Sequence, residues 1–493
     1  MPHCTPSVLA LASLPALVSG AARGTCMPVA LGLWERHGSG GGPGRGFRRA
    51  HKRPASLALR WPSRLAPDIR MRLLLTVLLA ASVLADARAA SLALVGAKVY
   101  PSPDAAPIEN ATVLIHDGVI AQVGRRLAVP NGVETIDARG DVVVAGFWNS
   151  HVHLLPEPYR GAATQPADML AETLASHFTQ WGFTTVFDIA SLPGDALALR
   201  RRIEAGEFDG PQILTVDAPF FPEGGTPVYV KGLLERLKVP TFEVKGANDA
   251  TRRAKRQFDA GADGAKLFAG AIVGGETGVL PMKPEIARAV VIEAHRHGKP
   301  AFAHPTNLVG LQVAIDSGVD VLAHTTTNGV PWPAPLVAKV AARRMALIPT
   351  LMLIEVEAKA EGLPDAARDR MLAAASQQVK SLHDAGGQVL FGTDSGYTEV
   401  FDPLREYQLM AAAGLDWRQV LASLTTAPSA RFGQAARKGR VAPGMDADLV
   451  VLDGDPADDV TTLNRVRLTI RGGRVIHRAT ETTRSKANAR APF

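Results

Sequence analysis

The residues best suited to chemistry are His151 and His153, which follow an apolar run of Val142, Val143, Val144, Ala145, Gly146 and Phe147. In a strand, residues two apart project to the same side, so both imidazoles can reach one metal ion. Four later residues share that context: Lys266, His304, His324 and Asp394 each lie in or at the end of a stretch that reads as a strand. Neutral imidazole and carboxylate suit zinc and similar ions, and a catalytic site keeps one position open for water. Lysine is the odd member. An ammonium repels a metal, and it is costly in an apolar strand end unless paired or neutralised. Two fates are open to Lys266: a salt bridge to a strand-end carboxylate, or reaction of its amine with CO2 to give N6-carboxylysine, an anion able to bridge two metals. Any one of these histidines could be a core or rim residue; the set, spread over separate strands, points to a metal site.

The elements that must position these side chains are legible as alternating patterns. Strand candidates span 145–153, 184–189, 212–218, 265–268, 301–304, 321–324, 346–349 and 389–393; helical patterns span 168–181, 248–260, 284–297, 308–317, 334–344, 366–385 and 402–413. Asn248 reads as an N-cap, and Gly261, Gly298, Gly318 and Gly386 as left-handed residues just past helix ends. The alternation predicts an α/β chain with a (β/α)8 TIM-type barrel over 145–435, an open doubly wound sheet being the alternative. In such barrels chemistry sits at the C-terminal strand ends, where the six candidates fall. Short strands in 90–144 and again in 436–478 predict a small β-sandwich subdomain formed by both ends of the mature chain.

Charge sorts the possible partners. The 493-residue chain carries a formal +7, but residues 1–89 hold 12 basic and 3 acidic residues, so the remainder has 42 against 44. That near-neutral body argues against a nucleic-acid partner. Met71 and Arg72 open an apolar run over 73–84 that leads to Ala87, Arg88 and Ala89. This reads as a secretory signal peptide over 71–89, a buried helix being the alternative, and predicts a periplasmic or secreted protein. The run is too short to span a bilayer, so no stable membrane insertion is expected after cleavage. Residues 1–70 read as an over-extended start or a disordered extension, and 479–493 as a flexible tail. Both cysteines, Cys4 and Cys26, precede the cleavage point, so the mature body has no disulfide framework or thiolate site. Homo-oligomer formation is left open.

The chain resembles the amidohydrolase superfamily, most closely its imidazolonepropionase-like and Xaa-Pro dipeptidase-like branch. The likeness is carried by Gly146 and Phe147 ahead of His151 and His153, by Gly392, Thr393 and Asp394, by residues 425–430 with Gly433, and by residues 439–450. One departure stands out: Trp148, Asn149 and Ser150 occupy a place where Ile-Asp-X is commoner, which puts the outer support of the first histidine in doubt. The resemblance implies that His151, His153 and Asp394 hold one divalent metal, that His304 and His324 hold a second, and that carboxylated Lys266 bridges them, with zinc the expected ion. It implies a binuclear metal-dependent hydrolase. In it an activated water attacks an amide carbonyl, and Asp394 passes a proton to the leaving nitrogen or is a ligand only. Tyr229, after the loop 224–227, is by resemblance an oxyanion donor, or else a lid aromatic. Phe220, Phe221, Pro222 and Trp332 line an apolar pocket or pack in the core, and His295 and His297 read as surface residues. The expected substrate is a small amide such as an N-acyl amino acid or an Xaa-Pro-type dipeptide. Ester, lactone or phosphotriester hydrolysis on the same centre, and a metal-binding barrel without turnover, are the alternatives.

Overall fold

The computed structural model describes residues 91–480. The expected extension at 1–70, the signal at 71–89 and residues 481–493 of the tail lie outside the described residues. No described helix is long and apolar enough to cross a membrane.

Both ends of the described chain meet in one eight-stranded sheet. Leu92–Val99 pairs antiparallel with Ile108–His116, which pairs with Val119–Arg125. Residues 92–95 also run parallel to Glu134–Asp137, and residues 98–99 to Val142–Ala145. Gly96, at φ +86°, sits where the strand changes partner; the left-handed backbone makes the bend. Val142–Ala145 then pairs antiparallel with Leu449–Leu452, and Val466–Arg471 and Arg474–Arg478 complete the sheet.

The pairing of Val142–Ala145 with Leu449–Leu452 divides two cores. Val143, Ala145, Leu449 and Val451 pack into the sheet's own core with Leu94, Val113 and Ile470. Val142, Val144, Val450 and Leu452 point the other way into the core of the larger body. A period of two therefore yields strands buried at every position, because both faces are covered.

The larger body is a closed barrel. Phe147–Val152, Phe183–Asp188 and Gln212–Thr215 form a parallel sheet. Ala265–Phe268, Ala301–His304, Val321–Leu322, Ala346–Leu347 and Gln388–Val389 form another. Parallel bridges join Phe220 to Leu267 and Val152 to Ser395, which closes eight strands into a ring and excludes the open sheet. Trp148, Phe187, Leu214, Phe302, Val321 and Leu390 fill the interior.

Some local expectations are corrected. Asn248 is not an N-cap: it is the second residue of Ala247–Asp259, Gly246 takes the cap position, and Asp249 accepts from the Lys245 N–H instead. Helices Asp195–Glu204, Val228–Leu237 and Leu351–Ala360 were not separated from their flanks by periodicity. Leu351–Ala360 continues the apolar run of the seventh strand, and its start is set from elsewhere: the Glu406 carboxylate accepts the Leu351 and Met352 N–H groups at 3.0 and 2.7 Å. The glycines at 261, 298, 318 and 386 have the positive φ expected of them.

Candidate metal centre

His151 and His153 stand at the C-terminal end of Phe147–Val152, and Asp394 lies beyond Gln388–Val389 on the neighbouring strand. The His151 and His153 Nε2 atoms lie 3.0 and 2.8 Å from Asp394 Oδ1, and 3.3 Å from each other. All three side chains are buried. Asp394 has φ +60°, a strained backbone for a residue with a Cβ. The strain is held by close approach: a Cβ on Gly392 would strike the His151 side chain, and one on Gly396 would strike the His153 carbonyl. Thr306 (φ +57°) and Thr350 (φ +47°) are also left-handed, so such backbone recurs just past strand ends at this mouth.

Hydrogen bonds fix which imidazole nitrogens face the centre. His153 Nδ1 is 2.7 Å from the Ala190 carbonyl, which only accepts, so Nδ1 carries the proton and Nε2 a lone pair. His324 Nδ1 is 2.8 Å from Thr350 Oγ1, which donates its proton to the Pro349 carbonyl at 2.8 Å; the hydroxyl therefore accepts from His324. His324 Nε2 lies 3.9 Å from Asp394 Oδ2. Burial lowers His151 to about 4 and His304 and His324 well below the usual range, which keeps them neutral, the form an imidazole needs to ligate a metal. Asp394 Oδ1 is buried and, despite its close nitrogens, has no hydrogen-bond partner. Lone-pair atoms from His151, His153 and Asp394 within 4.8 Å of one another, with no proton aligned between them and the carboxylate, fit a divalent cation.

The remaining candidates line the same cavity. His304 stacks on Phe268, ring centroids 4.8 Å apart, and meets His324 edge-on at 4.5 Å. Lys266 is buried with its Nζ 5.5 Å from the Phe268 ring centroid, and among the described residues it makes no ion pair, so the salt-bridge fate is not the one seen. Burial pushes its ammonium down to about 7. Tyr229, on Val228–Leu237, lines the cavity with its ring against Tyr397 at 5.2 Å, and burial pushes its hydroxyl up. Phe221 also lines the cavity. Phe220 and Trp332 do not: Phe220 is core, and Trp332 is buried with its indole N–H on Thr326 Oγ1 at 2.9 Å. His295 pairs with Asp320, outside the centre.

Asn149 ties strand to strand. Its Nδ2 donates to Thr393 Oγ1 at 2.8 Å and its Oδ1 accepts from the His151 and Thr393 N–H groups at 3.3 Å. It supports the backbone of the first histidine rather than its ring, whose Nδ1 has no partner.

Sequence reasoning missed four contributors. Thr350 orients His324. Asp188, at the end of the second strand, accepts from Leu154 N–H at 3.1 Å, from Thr215 Oγ1 at 2.6 Å and from Ser191 Oγ, and so holds the turn that presents the Ala190 carbonyl to His153. Tyr397 and Glu357 complete the cavity wall. Tyr397, three residues past Asp394, could have been found by proximity. No local signal marks Glu357.

The amidohydrolase family matches residues 142–476, and the chain belongs to that family. With its His-His-Asp site it is a metal-dependent hydrolase. Ochratoxinase of Aspergillus niger is 22% identical over 413 residues, covering 77% of this chain and 84% of that protein. Imidazolonepropionase of Thermoplasma acidophilum is 24% identical over 401 residues, covering 75% and 90%. The structure of a Xaa-Pro dipeptidase with bound methionine in the active site aligns with a TM-score of 0.67 at 21% identity, covering 79% of this chain and all of that one; this is a likeness of fold.

Proposed function

We propose that this protein hydrolyses the C–N bond of a small amide carried on apolar groups. The observation that carries the reading is the convergence of His151, His153 and Asp394 beneath a cavity walled by Leu192, Phe221, Leu234, Phe242 and Phe268. In this reading His151, His153 and Asp394 would hold one divalent cation, zinc foremost, and His304 and His324 would hold a second. Lys266 would supply an anionic ligand after its neutral amine adds to CO2, forming an N–C bond and releasing one proton to solvent. The low basicity of Lys266 and the absence of an ion pair to it among the described residues support that step, because only the free amine is nucleophilic. When bound, such cations polarise the scissile carbonyl and acidify water.

The chain's own groups do the rest. Asp394 takes the proton of the attacking water and delivers it to the leaving nitrogen, which would otherwise depart as an unstable amide anion. The Tyr229 hydroxyl, kept protonated by burial, donates to the oxygen on which negative charge develops. The apolar walls exclude bulk water. The apolar run before Ala87, Arg88 and Ala89 supports placing this activity in the periplasm or outside the cell.

The test is turnover by protein loaded with zinc in bicarbonate, on matched anilides and esters of one acyl group. Anilide hydrolysis that disappears on chelation and returns with zinc is the expected result. Ester hydrolysis with no anilide hydrolysis, or anilide turnover indifferent to chelation, would overturn the reading.

A further inference from the structure

The cavity above the metal centre has a volume of about 100 Å³. Its walls are mostly aliphatic and aromatic, so its few polar groups decide what a ligand can carry there. Among the described residues that line it there is no arginine, and its one lysine is Lys266, at the centre itself. The imidazoles of His153 and His324 have their Nδ1 protons committed to Ala190 and Thr350. A carboxylate on a substrate arm that points away from the centre would therefore meet apolar walls with no basic side chain among the described lining residues.

The opposite charge is provided for. Glu357, on Leu351–Ala360, lines this cavity, and among the described residues no basic side chain lies within ion-pair distance of it. Its partner in the wall is the Tyr397 hydroxyl, and burial raises its carboxyl to about 7. Glutamates are seldom placed against apolar surroundings without a compensating cation. Here the helix that carries Glu357 is anchored at its start by Glu406, so the carboxyl is presented from a fixed element.

We propose that Glu357 is a specificity-determining residue: the cavity takes amides whose apolar arm ends in an amine cation, which Glu357 pairs, and disfavours arms that end in a carboxylate. The proposal rests on the amidohydrolase reading above and narrows its substrate class, away from N-acyl amino acids and free dipeptides. Those substrates bring a carboxylate that the cavity leaves unmet.

Two measurements on the zinc-loaded protein test it. Calorimetry compares hexylamine with hexan-1-ol on the wild type and on Glu357→Gln. Turnover compares the p-nitroanilides of 6-aminohexanoic, hexanoic and adipic acids, whose arms end in an ammonium, a methyl and a carboxylate. The expected results are hexylamine bound about tenfold tighter than the alcohol, a ratio falling to about one in Glu357→Gln, and turnover in the order ammonium, methyl, carboxylate. The conservative variant controls for ligation of the amine by zinc, which it leaves in place. Hexylamine bound no better than the alcohol, a preference that survives Glu357→Gln, or faster turnover of the carboxylate arm would overturn the proposal. Glu357-dependent binding of hexylamine with no turnover of any arm would sustain it and instead overturn the hydrolysis of amides.

Discussion

His324 Nδ1 lies 2.8 Å from Thr350 Oγ1, and that oxygen spends its only proton on the Pro349 carbonyl. The hydroxyl can then only accept, so it fixes the His324 tautomer with Nε2 free to ligate. Thr350→Val keeps the shape of the side chain at a left-handed position and removes the acceptor. Metal affinity is expected to fall about 10–100-fold, read by chelator competition, with the melting temperature of the metal-free protein little moved. Unchanged affinity would show that the hydroxyl does not orient the ligand.

Asp394 is asked to be both ligand and proton carrier. Asp394→Asn keeps an oxygen donor and removes the base. Anilide turnover is expected to drop by roughly 10²–10⁴, while elemental analysis still finds bound metal. Retained turnover would reduce Asp394 to a ligand.

Lys266 can be tested by isotope. Protein equilibrated with ¹³C-bicarbonate is expected to show a carbamate carbon resonance that is missing in Lys266→Met, and the variant is expected to hold less metal per chain. The same spectrum from both proteins would refute the modification.

Tyr229→Phe separates oxyanion donor from lid aromatic. A donor to developing charge acts in the transition state, so kcat is expected to fall about 10²-fold with KM nearly constant. A change confined to KM would assign Tyr229 to substrate packing.

Glu406 predicts a pH dependence of stability away from the metal centre. Burial raises its carboxyl from 4.5 to about 7, against the pull of the Met352 and Leu351 N–H groups. Between those values the folded chain keeps a proton that the unfolded chain has released. The stabilisation is therefore complete below about pH 4.5 and is lost as pH rises through about 7, a contribution on the order of 3 kcal/mol. Urea unfolding from pH 4.5 to 8 should show the wild type's advantage over Glu406→Gln shrinking with rising pH. A constant difference would contradict the assignment.

The barrel was legible because its signals are local. Ala265–Phe268, Ala301–His304 and Leu308–Ser317 were readable to the residue from apolar runs bounded by turn residues. Leu351–Ala360 was not, because nothing in its composition separates it from the strand before it. Its start depends on Glu406, more than fifty residues on in the chain, and on a left-handed Thr350. Glu357 was hidden with it.

The sequence by itself determined the His-His-Asp ligand set and the order of the candidates around it: two histidines two apart at a strand end, a lysine and two further histidines in later strands, and an aspartate after a glycine and a threonine. Period and burial preference act along the chain, so they can be read from it. Only the tertiary structure decided which imidazole nitrogen faces the centre, that Lys266 makes no ion pair among the described residues, and that the described residues lining the cavity include Glu357 but no arginine. Those outcomes depend on hydrogen-bond partners and charges brought together by ring closure, from residues far apart in the chain that carry no mark of their meeting.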